Sequence, residues 1–184
     1  MIENEFKLIL SCEQFKQITN TLSVKYGKEF SNIQINYYYD SDDYFIAYCG
    51  DSLRVRQKGC NLSMEYKCKK STASDQIRKC EEYKKSINVF PNLIILSNEF
   101  SIIDDHIYKY KGNLITVRTD FHINDTIVSL DKNYYLGKTD YEIEIESENP
   151  ERINEVKNLL QLNFPTNELG KYKRFLNTYY LLNK

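Results

Sequence analysis

Charged and uncharged positions alternate at the start of the chain, where Asn4 and Phe6 separate Glu3, Glu5 and Lys7. Successive side chains of a β-strand point to opposite faces, so this pattern predicts a strand with three charged groups on one face. Charge alternates in the same way in five later segments, at residues 52–58, 61–69, 76–87, 113–123 and 139–147. The chain is therefore predicted to form a sheet with one face that carries both signs of charge along most of its strands.

The spacing of apolar residues predicts helices around this sheet. Phe15, Ile18 and Leu22 have helical spacing, which predicts a helix from Ser11 to about Lys25 with Ser11 as its cap. We also predict a short helical turn and two closing helices, at Asp42–Tyr48, Pro150–Gln161 and about Asn167–Leu182.

Short polar turns join the predicted strands, so we expect an antiparallel sheet. After the N-terminal strand, the others are predicted at Ile33–Asp40, Ser52–Lys58, Asn61–Lys69, Gln76–Ile87, Asn113–Ile123, Thr126–Asn133 and Thr139–Ser147. The segment 88–105 contains Pro91, and its apolar residues fit either a buried helix or a strand. Whether this segment is a lid or ordinary packing stays open.

Length and composition limit the class of protein. The 184 residues favour one domain, 1–184, and the 41% hydrophobic and 28% charged residues are typical of soluble globular proteins. A net charge of −1 gives no general attraction to nucleic acid or to an anionic membrane, so we expect neither partner. We find no apolar run of membrane-spanning length and no signal peptide. The five cysteines form no C-x-x-C pair, so we expect reduced thiols and a cytoplasmic protein.

Like charges are crowded on the predicted strands, since Glu142, Glu144 and Glu146 share one face and Arg54 and Arg56 share another. Each such pair costs about 1 kcal/mol near water, unless a cation lies among the carboxylates and an anion among the guanidinium groups. A solvated sheet face is the alternative for any single strand. About eight strands closed into a barrel would instead enclose one small ligand, with helices covering the apolar exterior.

Seven short motifs follow one another along the chain. They are residues 3–7 (E-x-E-x-K), 34–40 (Q-x-N-x-Y-[FY]-D), 53–56 (L-R-[IV]-R), 63–67 (a strand ending in Lys), 81–83 (E-E-Y), 140–146 (D-Y-E-[IL]-E-[IL]-E) and 171–176 (K-[IY]-x-R-F). In this order they resemble the CYTH domain of the triphosphate tunnel metalloenzyme superfamily. Within that superfamily the chain is similar to the small bacterial adenylate-cyclase-like proteins. Two positions depart from the pattern. Cys80 stands where many relatives have Arg, which removes one possible phosphate contact, and Arg78 on the same face could replace it. Gly170 stands where many relatives have Ser.

The resemblance implies an α+β fold, an antiparallel closed β-barrel of about eight strands that forms a triphosphate tunnel with helices packed outside. It implies that Mg²⁺ or Mn²⁺ is bound by Glu3, Glu5, Glu142 and Glu144, with Glu146 as a further candidate. It implies that the substrate phosphates are bound by Lys7, Arg54, Arg56, Lys67, Arg78, Arg118 and Lys171. Glu65 and Glu82 are the candidates to orient the attacking water. The sequence leaves open whether Asp131 faces the tunnel or caps a turn.

The activity that the resemblance implies is metal-dependent hydrolysis of the terminal phosphoanhydride of a triphosphate, with inorganic tripolyphosphate as the first candidate substrate. Thiamine triphosphate and nucleoside triphosphates are alternatives, because the same cations would bind any triphosphate tail. A class IV adenylyl cyclase that makes cyclic AMP is another alternative, although we find no purine pocket in the sequence. A non-catalytic phosphate-binding module is the third. The oligomeric state is not predicted.

Overall fold

The computed structural model describes residues 2–27, 30–69, 78–162 and 169–183, with the backbone alone at residues 2, 3, 78 and 79. In chain order its elements are β1 (Ile2–Leu10), α1 (Cys12–Tyr26), β2 (Ser31–Asp40), α2 (Phe45–Cys49), β3 (Ser52–Lys58), β4 (Asn61–Lys69), β5 (Arg78–Ile87), β6 (Leu93–Ile94), α3 (Leu96–Phe100), β7 (Tyr108–Ile123), β8 (Thr126–Tyr135), β9 (Lys138–Ser147), α4 (Pro150–Leu159) and α5 (Lys171–Leu182). No helix in these ranges is long and apolar enough to cross a lipid bilayer.

Eight of the described strands form a closed antiparallel barrel. Their order is β2-β3-β4-β5-β1-β9-β8-β7, and a further pairing between β2 and β7 closes the ring. The short β6 pairs with Tyr108 and Lys109, the first residues of β7. The closed barrel confirms the predicted fold class, and closure leaves the charged face of each strand on the inside.

The predicted first helix is confirmed together with its cap. The backbone N–H of Gln14 donates to Ser11 Oγ at 3.1 Å, while the backbone N–H of Ser11 donates to Gln14 Oε1 at 2.8 Å. These two bonds satisfy N–H groups that the first turn would otherwise leave unpaired. Leu22 of this helix is buried, and it packs in a cluster that includes Ile143 of β9 and Ile153 of α4. The helices α1 and α4 thus cover one outer side of the barrel.

The ambiguous segment 88–105 contributes to packing. Its described structure is the two-residue strand β6 followed by the short helix α3. Ile94 and Leu96 are fully buried in a second apolar cluster, with Leu53 and Val55 of β3 and Met64 of β4. The segment therefore covers the outer side of β3 and β4, where the alternation of these strands places their apolar residues.

Several predicted boundaries were wrong by a few residues. β7 begins at Tyr108 rather than at residue 113, because a bulge near Gly112 lets the strand continue past the glycine. The short helix after β2 is Phe45–Cys49 rather than Asp42–Tyr48, and α4 ends at Leu159. The last helix begins at Lys171. The predicted starts at residues 76 and 167 lie outside the described residues.

The last helix, α5, packs across one end of the barrel. Tyr172 stacks on the inward-facing Tyr38, with ring centroids 4.7 Å apart. The Tyr172 hydroxyl donates to Asp40 Oδ2 at 2.8 Å, and Asp40 also accepts the backbone N–H groups of Ile46 and Ala47 in α2. This buried carboxylate ties β2, α2 and α5 together and fixes where α5 enters.

Replacing Gly112 by alanine is expected to loosen this end of the barrel. Gly112 has a φ of +148°, and an added Cβ would lie 2.3 Å from Cζ of Phe175 in α5. Strain at this φ and overpacking against the ring together predict a loss of about 3 kcal/mol in the free energy of unfolding, measured by urea titration. Gly170→Ala is the control, because its Cβ would meet nothing within 4 Å. Equal stability of the two variants would contradict the close packing of α5.

Candidate active site

The charged faces of the strands surround a cavity of about 600 Å³ inside the barrel. The predicted site residues with side chains that line it are Glu5, Lys7, Arg54, Arg56, Lys67, Glu82, Arg118, Glu144, Glu146 and Lys171. Glu65 and Glu142 are buried and paired with cations of this lining. The side chains of Glu3 and Arg78, on β1 and β5, lie outside the described residues. Barrel closure therefore brings residues from both ends of the chain around one cavity.

One wall of the cavity alternates carboxylate and ammonium groups. A carboxylate oxygen of Glu5 lies 2.8 Å from Nζ of Lys67 and 3.2 Å from Nζ of Lys7. Lys7 also lies 2.9 Å from Glu144. Burial raises the pKa of Glu5, but the two ammonium groups outweigh burial and lower that pKa to about 2. Glu5 is therefore ionised over the whole neutral range.

A second wall is organised by Glu65, which is 1% exposed. Glu65 accepts Nε–H of Arg54 at 2.9 Å and lies 3.4 Å from Arg56 and 3.2 Å from Lys84. The Ser63 hydroxyl donates to it at 2.8 Å. Burial raises the pKa of Glu65, but Arg54 and Arg56 hold it well below the usual range. This geometry makes Glu65 a group that positions two guanidinium groups toward the cavity.

Asp131 faces the barrel interior, which answers a question that the sequence left open. It is fully buried and receives two hydrogen bonds from Arg118, at 2.7 and 2.6 Å. Lys171 lies 2.8 Å from both Asp131 and Glu144, and 3.1 Å from Glu142. Because Lys171 begins α5, these ion pairs also attach the last helix to the barrel.

Sequence reasoning missed several polar residues of the site. Arg174 lies one turn after Lys171 on α5, and it contacts Glu142 at 2.5 Å and Asp140 at 3.0 Å. Its position in the K-[IY]-x-R-F motif and the i, i+3 spacing were the signals that could have found it. Asn36 accepts Nε–H of Arg56 at 2.9 Å and thereby orients that guanidinium group. Lysines that also line the cavity without having been predicted are Lys58, Lys69, Lys84 and Lys173.

Cys80 lines the cavity beside a predicted metal ligand. Its Sγ lies 3.6 Å from Oε1 of Glu5 and donates a weak hydrogen bond to that oxygen. Burial and the Glu5 charge raise the pKa of the Cys80 thiol to about 11, so the group is neutral at pH 7. The expectation that Arg78 replaces the missing arginine concerns a side chain outside the described residues. The backbone register places Arg78 opposite Glu5.

The family model for the CYTH domain matches residues 1–179. The chain belongs to the CYTH family. It is 27% identical over 152 residues to "Putative triphosphatase YjbK" of Bacillus subtilis, which covers 79% of this chain and 77% of that protein. Among solved structures, a Bacillus halodurans protein described as a "putative adenylate cyclase" is 25% identical, with a TM-score of 0.70 and coverage of 93% of this chain and 95% of that chain. A Hippeastrum protein described as having a dominant triphosphatase activity has the same fold, with 21% identity, a TM-score of 0.74 and 95% coverage of both chains.

CYTH proteins are in general metal-dependent, and a hard divalent cation binds to carboxylate oxygens. Within the described ranges, no three Asp, Glu, His or Cys side chains are grouped as a ready-made metal site. However, Oε1 of Glu142 is buried without a hydrogen bond. Burial and the neighbouring Glu144 raise the pKa of Glu146, which lines the cavity. These oxygens fit a hard divalent cation that takes its other ligands from water and substrate phosphate.

Proposed function

We propose that this CYTH protein is a metal-dependent triphosphatase that removes the terminal phosphate of inorganic tripolyphosphate. The observation that carries the proposal is the ring of cations around one 600 Å³ cavity. The predicted phosphate ligands with described side chains in this ring are Lys7, Arg54, Arg56, Lys67, Arg118 and Lys171. A triphosphate carries roughly four to five negative charges. The ring and a metal ion together supply positive charge of the order needed to balance the triphosphate and the carboxylates of the cavity.

Each cation of the ring is already oriented by a buried acid. Glu65 positions Arg54 and Arg56, Asp131 positions Arg118, and Glu5 positions Lys67. The guanidinium groups can give bidentate contacts to phosphate oxygens, while the lysines act as point charges. Such preorganised charge stabilises the charge of the transferring phosphoryl group, and phosphoryl transfer requires little covalent chemistry from the protein.

The proposed metal is Mg²⁺ or Mn²⁺, held by Glu5, Glu142, Glu144 and Glu146, with Glu3 as a further ligand in the same motif. When bound, the metal neutralises phosphate charge and polarises the P–O bonds. Glu82 lines the cavity opposite Lys67 in the strand register and is our candidate to accept the proton of the attacking water. The water oxygen forms a bond to the terminal phosphorus, the bridging P–O bond breaks, and pyrophosphate and orthophosphate result.

We place this reaction in the cytoplasm, because all five cysteines carry free thiols and suit a reducing compartment. The proposed partner is a small-molecule triphosphate, without nucleic acid or membrane.

A substrate panel tests the proposal. The protein is incubated with tripolyphosphate, thiamine triphosphate or ATP, each with Mg²⁺ or Mn²⁺, and orthophosphate and cyclic AMP are both measured. We expect orthophosphate from tripolyphosphate and none when the metal is chelated. Preferred turnover of either organic triphosphate would reassign the substrate. Cyclic AMP without orthophosphate would replace the hydrolase with a cyclase, and binding without turnover of any substrate would indicate a phosphate-binding module.

A further inference from the structure

Two parts of the outer surface of the barrel are covered, but a region between them is exposed. The helices α1 and α4 pack over β1 and β9, and the segment 88–105 packs over β3 and β4. Ile33 of β2 and Ile115 of β7 lie between these parts and are 62% and 37% exposed. A contiguous apolar surface of this kind indicates a binding surface, whereas single exposed apolar residues do not.

Five apolar residues from three neighbouring strands form this region, which we call the neutral strip. They are Ile33 and Ile35 of β2, Ile115 and Val117 of β7, and Tyr134 of β8. In the strand register Ile33 lies opposite Val117, and Ile115 lies opposite both Ile35 and Tyr134. The next residues along each strand are buried toward the interior, so alternation turns the strip outward. All five residues lie outside the two apolar clusters of the described core.

Aromatic side chains extend the neutral strip at one end. Tyr37 follows Ile35 on the outer face of β2, and its ring centroid lies 4.7 Å from that of Phe90 and 6.3 Å from that of Tyr110. Phe90 and Tyr110 are 40% and 50% exposed. Because aromatic residues are enriched in the centres of protein–protein interfaces, this end favours a protein as the partner.

The neutral strip and the outward positions next to it on β2 and β7 carry no charge, although 28% of the chain is charged. At the end away from Tyr37, the hydroxyl groups of Ser31 and Thr119 form a hydrogen bond with each other at 2.7 Å. The Tyr37 hydroxyl donates to Gln57 at 3.1 Å. Since these hydroxyl groups already have partners, a second surface can cover the strip without leaving them unpaired.

The backbone of the strip restricts how a partner can bind. β2 pairs with β3 and β7, and β7 pairs with β2 and β8, so neither strand has a free edge along the strip. An extended peptide therefore cannot add to the sheet as a strand, and the partner has to pack face to face. An anionic membrane would instead attract a cluster of basic residues, but the strip is uncharged and Lys132 beside it supplies one charge.

The size of the strip is sufficient for a small specific interface. From Ser31 to Tyr110 the outer face runs for about 30 Å, and four strands spaced by about 4.8 Å make it about 20 Å wide. This footprint is about 600 Å² for each copy, so two copies would bury about 1,200 Å² in total, which is the lower limit of standard interfaces.

We propose that the neutral strip is the interface of a homodimer, in which two copies of the chain pack the outer faces of β2 and β7 against each other about a two-fold axis. Such an axis brings the same patch of both copies together, so any charge on the patch would meet a charge of the same sign. The uncharged strip avoids this repulsion. Ile35 and Ile115, at the middle of the strip, lie close to the axis. This inference does not depend on the proposed triphosphatase function.

The association state of the intact protein tests the dimer. Sedimentation equilibrium between about 1 and 300 μM should show a change from the monomer mass of 21.9 kDa to twice that mass, with a dissociation constant on the order of 10 μM. Ile115→Lys should raise the dissociation constant about a hundredfold or more, because two like charges then meet near the axis. Ile115→Glu should have the same effect. An equimolar mixture of these two variants should dimerise again, because opposite charges then meet.

The matched control is Ile103→Lys, which makes the same substitution at an exposed residue between α3 and β7. It should leave the dissociation constant unchanged. Circular dichroism checks folding, and Ile33→Lys, at a more exposed position of the strip, should weaken association even if an Ile115 variant does not fold.

A wild-type protein that is monomeric at every concentration would overturn the inference and leave the strip to a different partner. Dimers that Ile115→Lys and Ile33→Lys leave intact would also overturn it, as would an equal loss of association in Ile103→Lys. A mixture of folded Ile115→Lys and Ile115→Glu proteins that stays monomeric would contradict the two-fold arrangement.

Discussion

Replacement of Glu5 by glutamine is expected to lower metal-dependent turnover of tripolyphosphate by about a thousandfold or more. The amide keeps the size of the side chain but removes the charge that we assign to metal binding. It also removes the anion that lies 2.8 Å from Lys67 and 3.2 Å from Lys7. The measurement is orthophosphate release across a range of Mg²⁺ and Mn²⁺ concentrations, because a lost metal ligand should also raise the metal concentration required.

The control for this experiment is Glu13→Gln, which removes an exposed carboxylate in the first turn of α1. Its turnover should equal that of the wild-type protein. Circular dichroism should show that Glu5→Gln keeps the barrel, since Lys7 retains Glu144 at 2.9 Å. A folded Glu5→Gln protein with wild-type activity and metal dependence would remove Glu5 from the metal site.

Replacement of Lys171 by methionine is expected to lower the free energy of unfolding by about 3–5 kcal/mol. Lys171 is 8% exposed and contacts Asp131, Glu142 and Glu144 at 2.8–3.1 Å. Methionine fills similar space but leaves these buried carboxylates with one cation fewer. The variant also loses the ion pairs through which Lys171 attaches α5 to the barrel. Urea unfolding followed by far-ultraviolet circular dichroism measures the change.

The loss in Lys171→Met should depend on pH in a defined direction. Burial raises the pKa of Asp131 and Glu144, but Lys171 and other cations lower both below their usual values. Groups with a lowered folded-state pKa add stability above their unfolded-state pKa of about 4, and this stability is lost as pH falls. The difference between wild type and variant should therefore be largest near neutral pH and shrink below about pH 4.

The matched control for the stability measurement is Lys173→Met, in the same turn of α5 but exposed. Its stability should lie within about 0.5 kcal/mol of wild type. A Lys171→Met protein as stable as Lys173→Met at neutral pH would contradict the role of these ion pairs in holding α5.

The alternation of charged and apolar residues predicted most of the barrel, because a closed barrel requires strands with one face inside and the other face outside. The segments 52–58 and 61–69 appear at the predicted bounds. All their charged residues line the cavity except Glu65, which is buried against Arg54. The sequence could not predict that β7 continues through Gly112, because the bulge depends on pairing with β2. Nor could it predict that Phe175 packs against this glycine, since the contact joins residues far apart in the chain.

The charge of each inner face could be predicted from the sequence, but the pairing of the charges could not. Alternation showed that Glu65 shares a face with Lys67, and the E-x-E-x-K and D-Y-E motifs identified the carboxylates. Which cation each acid contacts depends on strand register and on barrel closure, which place Arg54 opposite Glu65 and Arg118 opposite Asp131. The role of Glu65 in holding two arginines emerged only from that geometry.

The sequence by itself determined the fold class, the charged inner face and the family, because period-two alternation and ordered motifs are local properties of the chain. The tertiary structure decided that Asp131 faces the interior and that α5 closes one end of the barrel. These features depend on distances between strands and helices that are distant in sequence. Only closure of the ring between β2 and β7 sets those distances.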